Sequence, residues 1–185
     1  MRTFIALDLD PEVKRAISDF QRKLRRLGPP SVSWTKEGGM HLTLKFLGEI
    51  DDPRAAECRE KLAQVAGSTA AFSVSVRGTG TFPPGRRPRV LWVGIPPTPD
   101  LARLQARVED AAEELGFPRE ERPFHPHLTL GRVRSPGGLE SVQAELEAAR
   151  ERDFGLVTVR TLVFYQSVLR PAGAEYSPLG VFTFS

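Results

Sequence analysis

The sequence has one cysteine, three histidines and no long apolar segment. The single cysteine, Cys58, excludes an intramolecular disulfide. No histidine or second cysteine lies near it in the sequence, so we interpret it as a small helix residue and not as a nucleophile. No apolar run approaches the ~20 residues that span a bilayer. The N-terminal MRTFIALDLDPEV carries acidic residues directly after its apolar stretch, unlike a secretory signal. We therefore expect a cytoplasmic protein without a membrane partner.

Several common catalytic motifs are also missing. Gly78-Thr79-Gly80-Thr81 does not complete a GxGxxG dinucleotide fingerprint, and neither a P-loop nor a GxSxG nucleophile elbow occurs. The histidines lack an acidic or thiolate partner at a spacing typical of zinc sites. No lysine stands in a recognisable nucleotidyl-transfer context. These absences argue against dehydrogenases, ATP-driven ligases and α/β-hydrolases, and they predict a protein without a metal or other cofactor.

The charge balance is biased toward arginine. The 185 residues carry a net charge of +3, and arginine outnumbers lysine 21 to 5. Arginine binds phosphate through planar, bidentate contacts, which would suit a nucleic-acid partner. A GC-rich or heat-adapted genome would produce the same bias on exposed faces, so the composition alone does not decide between the two explanations.

Alternating and helical patterns of apolar residues predict an order of elements that occurs twice. Asp10 and Pro11 predict a helix start, with Asp10 as the cap, and the segments around Trp34 and from Gly78 to Pro88 are predicted to be loops. The predicted strands are Thr3–Leu9, His41–Leu47, Phe72–Val76, Val90–Ile95, His127–Val133, Leu156–Val168 and Leu179–Phe184. The predicted helices are Pro11–Leu27, Asp51 to about Ala66, Pro99 to about Leu115, and about Leu139–Arg150.

The two copies of this order are offset by 86–88 residues. Each copy runs strand, helix, strand, helix, strand, so the pattern favours a duplicated α+β unit whose copies pack around a pseudo-twofold axis. We expect one domain over residues 1–185, built from a sequence repeat of approximately 1–88 and 89–185. The expected architecture is bilobal, with antiparallel sheets lining a cleft and helices outside.

Two identical tetrapeptides, His41–Leu44 and His127–Leu130, occupy the same place in the two copies. Both read His-Leu-Thr-Leu, and we call them the HLTL motifs. Because residues i and i+2 of a strand face the same side, the histidine and threonine of each motif project together while the leucines face a core. One such tetrapeptide would be unremarkable on any half-buried strand. Two at equivalent places indicate a paired site.

Such a pair suits general acid–base chemistry at phosphorus. Histidine has an unperturbed pKa near neutrality, so one neutral ring of His41 and His127 can accept a proton while the other, protonated, donates one. The hydroxyls of Thr43 and Thr129 can donate hydrogen bonds to phosphate oxygens. The residues alone do not establish which histidine is the acid, because a pseudosymmetric pair looks the same from both sides.

Residues beside the motifs are harder to place. Strict alternation turns Arg132 away from the site unless a bulge at Gly131 re-aims it toward the phosphate. The same alternation places Lys45 on the face of His41 and sends Phe46 into the core, although a ring at that position could stack a base. His125 shares the face of His127 and is predicted to be a helper in substrate binding or a loop residue.

Longer stretches around the motifs carry a family resemblance. The chain resembles the 2H phosphoesterases, and within them the bacterial and archaeal RNA 2′,3′-cyclic phosphodiesterases, also called 2′-5′ RNA ligases. The matching stretches are FIALDLDPEV, MHLTLKFLGEI, RVLWVGI, RPFHPHLTLGR and FYQSVLRPAGAEYSPLGVF. The resemblance implies a bilobal α+β fold with two antiparallel sheets forming a V-shaped cleft.

The resemblance also implies an activity and roles for the site residues. It implies metal-free hydrolysis of a terminal RNA 2′,3′-cyclic phosphate to a 2′-phosphate, with RNA ends such as tRNA fragments as partners and a monomeric enzyme. His41 would be the proton donor and His127 the acceptor, with Thr43, Thr129 and Arg132 holding the phosphate. Two alternatives stay open, namely reversible 2′-5′ joining of RNA ends and a non-catalytic protein that binds RNA ends.

Overall fold

A computed structural model describes residues 1–185 as four α-helices and ten strands, with one short 3₁₀ turn at Glu37–Gly39. The helices are α1 (Pro11–Leu27), α2 (Asp52–Gly67), α3 (Pro99–Glu114) and α4 (Glu140–Ala148). The strands are β1 (Arg2–Leu7), β2 (Val32–Trp34), β3 (Leu42–Glu49), β4 (Phe72–Arg77), β5 (Thr79–Phe82), β6 (Val90–Gly94), β7 (His127–Val133), β8 (Asp153–Val159), β9 (Thr161–Arg170) and β10 (Gly173–Thr183). None of the helices has the length and apolar character needed to cross a membrane.

The strands form two four-stranded antiparallel sheets and one two-stranded ribbon. The first sheet has the order β10-β9-β1-β3, the second has the order β2-β7-β6-β5, and β4 pairs with β8. Each large sheet therefore contains strands from both halves of the chain. The central orders β9-β1-β3 and β5-β6-β7 correspond to each other strand by strand. The predicted α+β class with antiparallel sheets is confirmed.

Three of the four helices begin where aspartate or threonine precedes proline, whereas α4 follows Leu139. Asp51 accepts a hydrogen bond from the Arg54 amide at 3.0 Å, and Thr98 accepts one from the Leu101 amide at 3.2 Å. These caps satisfy amides that have no partner inside a helix. The predicted cap by Asp10 is wrong. Its carboxylate instead accepts a 3.4 Å hydrogen bond from the Thr158 amide, which links the start of α1 to β8.

Four strand assignments differ from the sequence prediction, and one of them is β10, which begins at Gly173 and not at Leu179. The short strands β2 and β5 lie in segments predicted to be loops, and the predicted strand Leu156–Val168 is two strands separated at Arg160. In β5, the absence of a side chain at Gly80 lets the ring of Trp92 lie against the backbone, because a Cβ there would sit 2.2 Å from that ring. Gly80, which made this segment resemble a loop in the sequence, is thus explained by its contact with Trp92 on the neighbouring strand.

Candidate active site

His41 lies directly before β3, against a set of aromatic rings. Its ring stacks on Phe4 and Tyr165, with centroid distances of 4.9 and 5.1 Å, and Tyr176 meets it edge-on at 5.2 Å. These rings come from β1, β9 and β10, the other three strands of the first sheet. His41 is 8% exposed. Neither of its ring nitrogens is a fully buried atom without a hydrogen-bond partner, so the packed ring still reaches the surface.

Burial has the largest effect on the pKa of His41. Loss of hydration lowers its pKa from 6.5 to about 4, since an imidazolium is costly to bury. The Asp8 carboxylate acts in the opposite direction and the Lys14 ammonium adds to the lowering. In the free protein His41 is therefore neutral at pH 7.

His127 is the first residue of β7 and has a fixed ring orientation. Its Nδ1 lies 2.6 Å from the backbone carbonyl oxygen of His125. A carbonyl oxygen only accepts, so Nδ1 carries the proton and Nε2 of the neutral ring is an acceptor. Phe82 of β5 meets the ring edge-on at 5.1 Å. Burial lowers the pKa of His127, the bond to the carbonyl opposes this, and the Arg132 charge adds to the lowering.

The structure brings the two HLTL motifs together. β3 and β7 belong to different sheets, yet they contact each other. The leucines of both motifs are buried, whereas Thr43 and Thr129 are half-buried, as the alternating pattern predicts. The two strands that carry the motif histidines and threonines are thus in contact although they belong to different sheets.

A bulge in β3 reverses the side-chain alternation after the first motif. Thr43 pairs with Ala6 and Lys45 with Ile5, which leaves Leu44 as an extra residue. Lys45 is therefore buried and Phe46 is 64% exposed, so both sequence predictions for these side chains are wrong.

The buried Lys45 ammonium is fully paired. It lies 3.0 and 3.1 Å from the two carboxylate oxygens of Glu109 on α3 and 2.9 Å from the Pro118 carbonyl. This ion pair ties the first motif strand to a helix of the second half of the chain. Phe46 instead joins the aromatic group at the site, with its ring centroid 5.8 Å from that of Phe4.

A second bulge occurs at the corresponding place in β7. Thr129 pairs with Trp92 and Gly131 with Leu91, so Leu130 is the extra residue, one position before the glycine. Arg132 is consequently exposed on the side of His127 and Thr129, near enough for its charge to act on His127. Gly131 allows β2 to approach closely, because a Cβ at this position would lie 2.9 Å from the Val32 side chain.

His125 contributes to the observed site through its backbone. Its side chain is exposed and its ring centroid lies 6.5 Å from that of Phe82, while its carbonyl orients His127. No set of three or more histidine, cysteine, aspartate or glutamate side chains is grouped as a metal site would require.

Sequence reasoning missed the aromatic groups that surround the two histidines. Phe4, Tyr165 and Tyr176 surround His41. Phe82 contacts His127, and Trp92 packs on Phe82 with the two ring centroids 5.3 Å apart. In a single sequence these residues are ordinary strand aromatics. Only the strand order shows that they meet the histidines.

Comparisons with known proteins show the family and the fold of this chain. A model of the 2′-5′ RNA ligase superfamily matches residues 9–169. An RNA 2′,3′-cyclic phosphodiesterase of Thermotoga maritima is 36% identical, covering 97% of this chain and 93% of its own. One from Archaeoglobus fulgidus is 33% identical, covering 98% and 99%. The crystal structure of TT0787 from Thermus thermophilus superposes with a TM-score of 0.83 at 29% identity, covering 100% of this chain and 98% of that one.

Proposed function

The chain belongs to the 2′-5′ RNA ligase superfamily, and we propose that it hydrolyses a terminal RNA 2′,3′-cyclic phosphate to a 2′-phosphate. In this proposal His41 and His127 are the acid and base, and neither a metal ion nor another cofactor takes part. The relatives from Thermotoga and Archaeoglobus, which match nearly the whole chain, bear the name of this activity.

One observation carries the proposal. Two strands from different sheets contact each other, and each presents a histidine and a threonine on one face. Cleavage of a phosphodiester needs one group to remove a proton from the nucleophile and another to protonate the leaving oxygen. In the proposal the two imidazoles, one from each strand, supply both groups at a single phosphorus atom.

The proton transfers follow from the ring orientations. His127 presents Nε2 as an acceptor because Nδ1 donates to a carbonyl. It takes a proton from water as the water oxygen bonds to phosphorus. The bond from phosphorus to the 3′ oxygen breaks, and that oxygen takes a proton from His41. The products are a 2′-phosphate and a free 3′-hydroxyl, with the proton moved from His41 to His127 and returned through solvent.

Three further side chains are assigned to the phosphate. The hydroxyls of Thr43 and Thr129 donate hydrogen bonds to its non-bridging oxygens, and the Arg132 guanidinium pairs with its negative charge. The exposed His125 ring is assigned to the substrate beyond the phosphate, beside Phe82. This arrangement stabilises the charge that increases on the phosphate oxygens in the transition state.

The donor role of His41 requires a proton that the free protein does not hold at pH 7. With a pKa of about 4, His41 is neutral before substrate arrives. A bound phosphate anion favours the charged form of a nearby imidazole and raises its pKa. The site therefore takes up a proton from solvent as the anionic substrate binds.

The test uses adenosine 2′,3′-cyclic phosphate and an RNA that ends in the same group. The expected product is the 2′-phosphate, identified against 2′-AMP and 3′-AMP standards, with turnover unchanged by EDTA. His41→Ala and His127→Ala should each lower kcat by about 10²–10⁴-fold while the circular dichroism spectrum is kept. A 3′-phosphate product, loss of turnover with EDTA, or near-normal activity in either variant would contradict the proposal.

The same site also permits 2′-5′ joining when a 5′-hydroxyl takes the place of water. Water at high concentration favours hydrolysis, so we propose ligation as a minor reaction on RNA halves such as cleaved tRNA. A mixture of cyclic-phosphate and 5′-hydroxyl RNA ends would show a 2′-5′ linked product. A protein that only binds RNA ends would turn over neither substrate. We further propose that the enzyme works in the cytoplasm as a monomer.

A further inference from the structure

The two motif histidines differ in what lies opposite them on the neighbouring strand. Leu7 of β1 pairs with Leu42 of β3, which places Asp8 opposite His41 just beyond the ends of the two strands. In the second sheet the residue that pairs with His127 is Gly94. Residues directly opposite each other in an antiparallel pair have Cβ atoms about 4.5–5.5 Å apart. A carboxylate thus accompanies one histidine, and no side chain occupies the equivalent place beside the other.

The Asp8 carboxylate is held in place. Its Oδ1 accepts a hydrogen bond from the Leu9 amide at 2.9 Å and lies 2.7 Å from the Lys14 ammonium. Its Oδ2 makes no hydrogen bond with the protein. Asp8 makes no direct hydrogen bond with His41 either, so it acts on that ring through charge. Burial raises the pKa of Tyr165, which stacks on His41, and the charge of Asp8 raises it further.

Few other charged groups surround His41. Asp8 from β1 and Lys14 from α1 are the charged groups that act on it, and Tyr165 from β9 and Tyr176 from β10 are the titratable groups in ring contact. Lys14 opposes the effect of Asp8, and the pKa of Tyr165, which burial raises, keeps that phenol uncharged near pH 7. The carboxylate is therefore the one charged group acting on His41 that favours its imidazolium form.

We propose that Asp8 is a positioning residue which makes His41, and not His127, the proton donor of the reaction. This inference rests on the proposed function. The carboxylate attracts to His41 the proton that enters with the anionic substrate, and Gly94 leaves His127 without such help. In this way Asp8 makes the two histidines of the near-twofold pair different, and His127 remains free to act as the base.

The first test is independent of activity. The imidazole signals of both histidines are titrated by NMR, in the free protein and with 2′-AMP bound. Asp8→Asn should lower the pKa of His41 by about 0.5–1 unit and leave that of His127 unchanged, since the carboxylate is partly exposed. Lys14→Met should raise the pKa of His41. Asp19→Asn, with the same charge change at an exposed position of α1 paired with Arg22, is the matched control and should shift neither.

The second test separates an electrostatic role from a structural one. In Asp8→Asn the alkaline limb of the kcat profile, which reports the acid of the substrate complex, should move to lower pH, Lys14→Met should move it to higher pH, and Asp8→Glu should restore it in part. An unshifted His41, an equal shift of both histidines, or a loss of activity that is uniform across pH would overturn the inference. Absence of hydrolysis by the unmodified protein would instead refute the proposed function, and the NMR titration would still decide whether Asp8 acts on His41.

Discussion

Phe46 and Arg132 hold corresponding positions in the two motif strands, each five residues after its histidine and each just beyond a bulge. The bulges turn both side chains to the site face. One lobe therefore offers an exposed aromatic ring where the other offers a cation. A terminal nucleotide carries a flat base and an anionic phosphate. The aromatic ring of one lobe suits the base, and the cation of the other suits the phosphate.

The exposed Phe46 ring is expected to stack a substrate base. Phe46→Ala should raise KM for the cyclic nucleotide about 10-fold or more, since stacking of a base on an aromatic ring contributes ~1–3 kcal/mol. The effect on kcat and on the melting temperature should be small, because the ring is 64% exposed. Leu156→Ala, which removes a 61% exposed apolar side chain on β8, is the control and should leave KM unchanged. An unchanged KM in Phe46→Ala would contradict this role.

Arg132 is expected to act on both the phosphate and His127. Arg132→Ala should lower kcat/KM by about 10²-fold through the lost charge-assisted hydrogen bonds. It should also raise the pKa of His127, because the guanidinium lowers it in the intact protein. NMR titration with steady-state kinetics measures both effects. Arg134→Ala, which removes an exposed arginine bonded to Ser33, should change neither. Full activity in Arg132→Ala would refute the assignment.

Local patterns in the sequence were sufficient to predict the motif strands but not the bulges. The alternation of histidine and threonine with leucine fixes the two faces of β3 and β7 over four residues. Gly131 left a bulge before Arg132 open as an alternative, whereas the bulge at Leu44 depends on pairing with β1, which no local residue signals. For the same reason the partner of Lys45, which lies 64 residues away on α3, could not be predicted.

The pH dependence of kcat/KM follows from the two lowered pKa values. The productive free enzyme carries one proton on the His41 and His127 pair, whichever ring holds it. The pKa of His41 is about 4 and that of His127 is below its usual 6.5, so this form is lost as pH rises above 6.5. We expect a kcat/KM optimum below pH 6.5 and a fall of about tenfold per unit at higher pH.

In contrast, kcat should persist to higher pH, because the bound phosphate raises both pKa values. Initial rates from pH 4 to 9 at low and saturating substrate would measure the two profiles. A kcat/KM that stays constant between pH 6.5 and 9 would be inconsistent with a proton taken up on binding.

The buried Lys45–Glu109 pair makes a prediction about stability. Both side chains are less than a tenth exposed, so Glu109→Gln leaves a buried ammonium without its counter-charge and should lower the free energy of unfolding by ~3–5 kcal/mol. Urea denaturation measures the change. Glu147→Gln, which breaks the exposed pair with Arg150, should cost no more than about 1 kcal/mol. Equal effects of the two substitutions would show that burial does not matter here.

The exchange of strands between the two sheets also affects when the protein becomes active during synthesis. The rings of Tyr165 and Tyr176 that flank His41 belong to β9 and β10, which leave the ribosome more than a hundred residues after the histidine itself. A nascent chain that already displays both HLTL motifs still lacks one side of its first sheet. Turnover by this fold is thus deferred until translation has passed the second motif and supplied the strands that enclose the first.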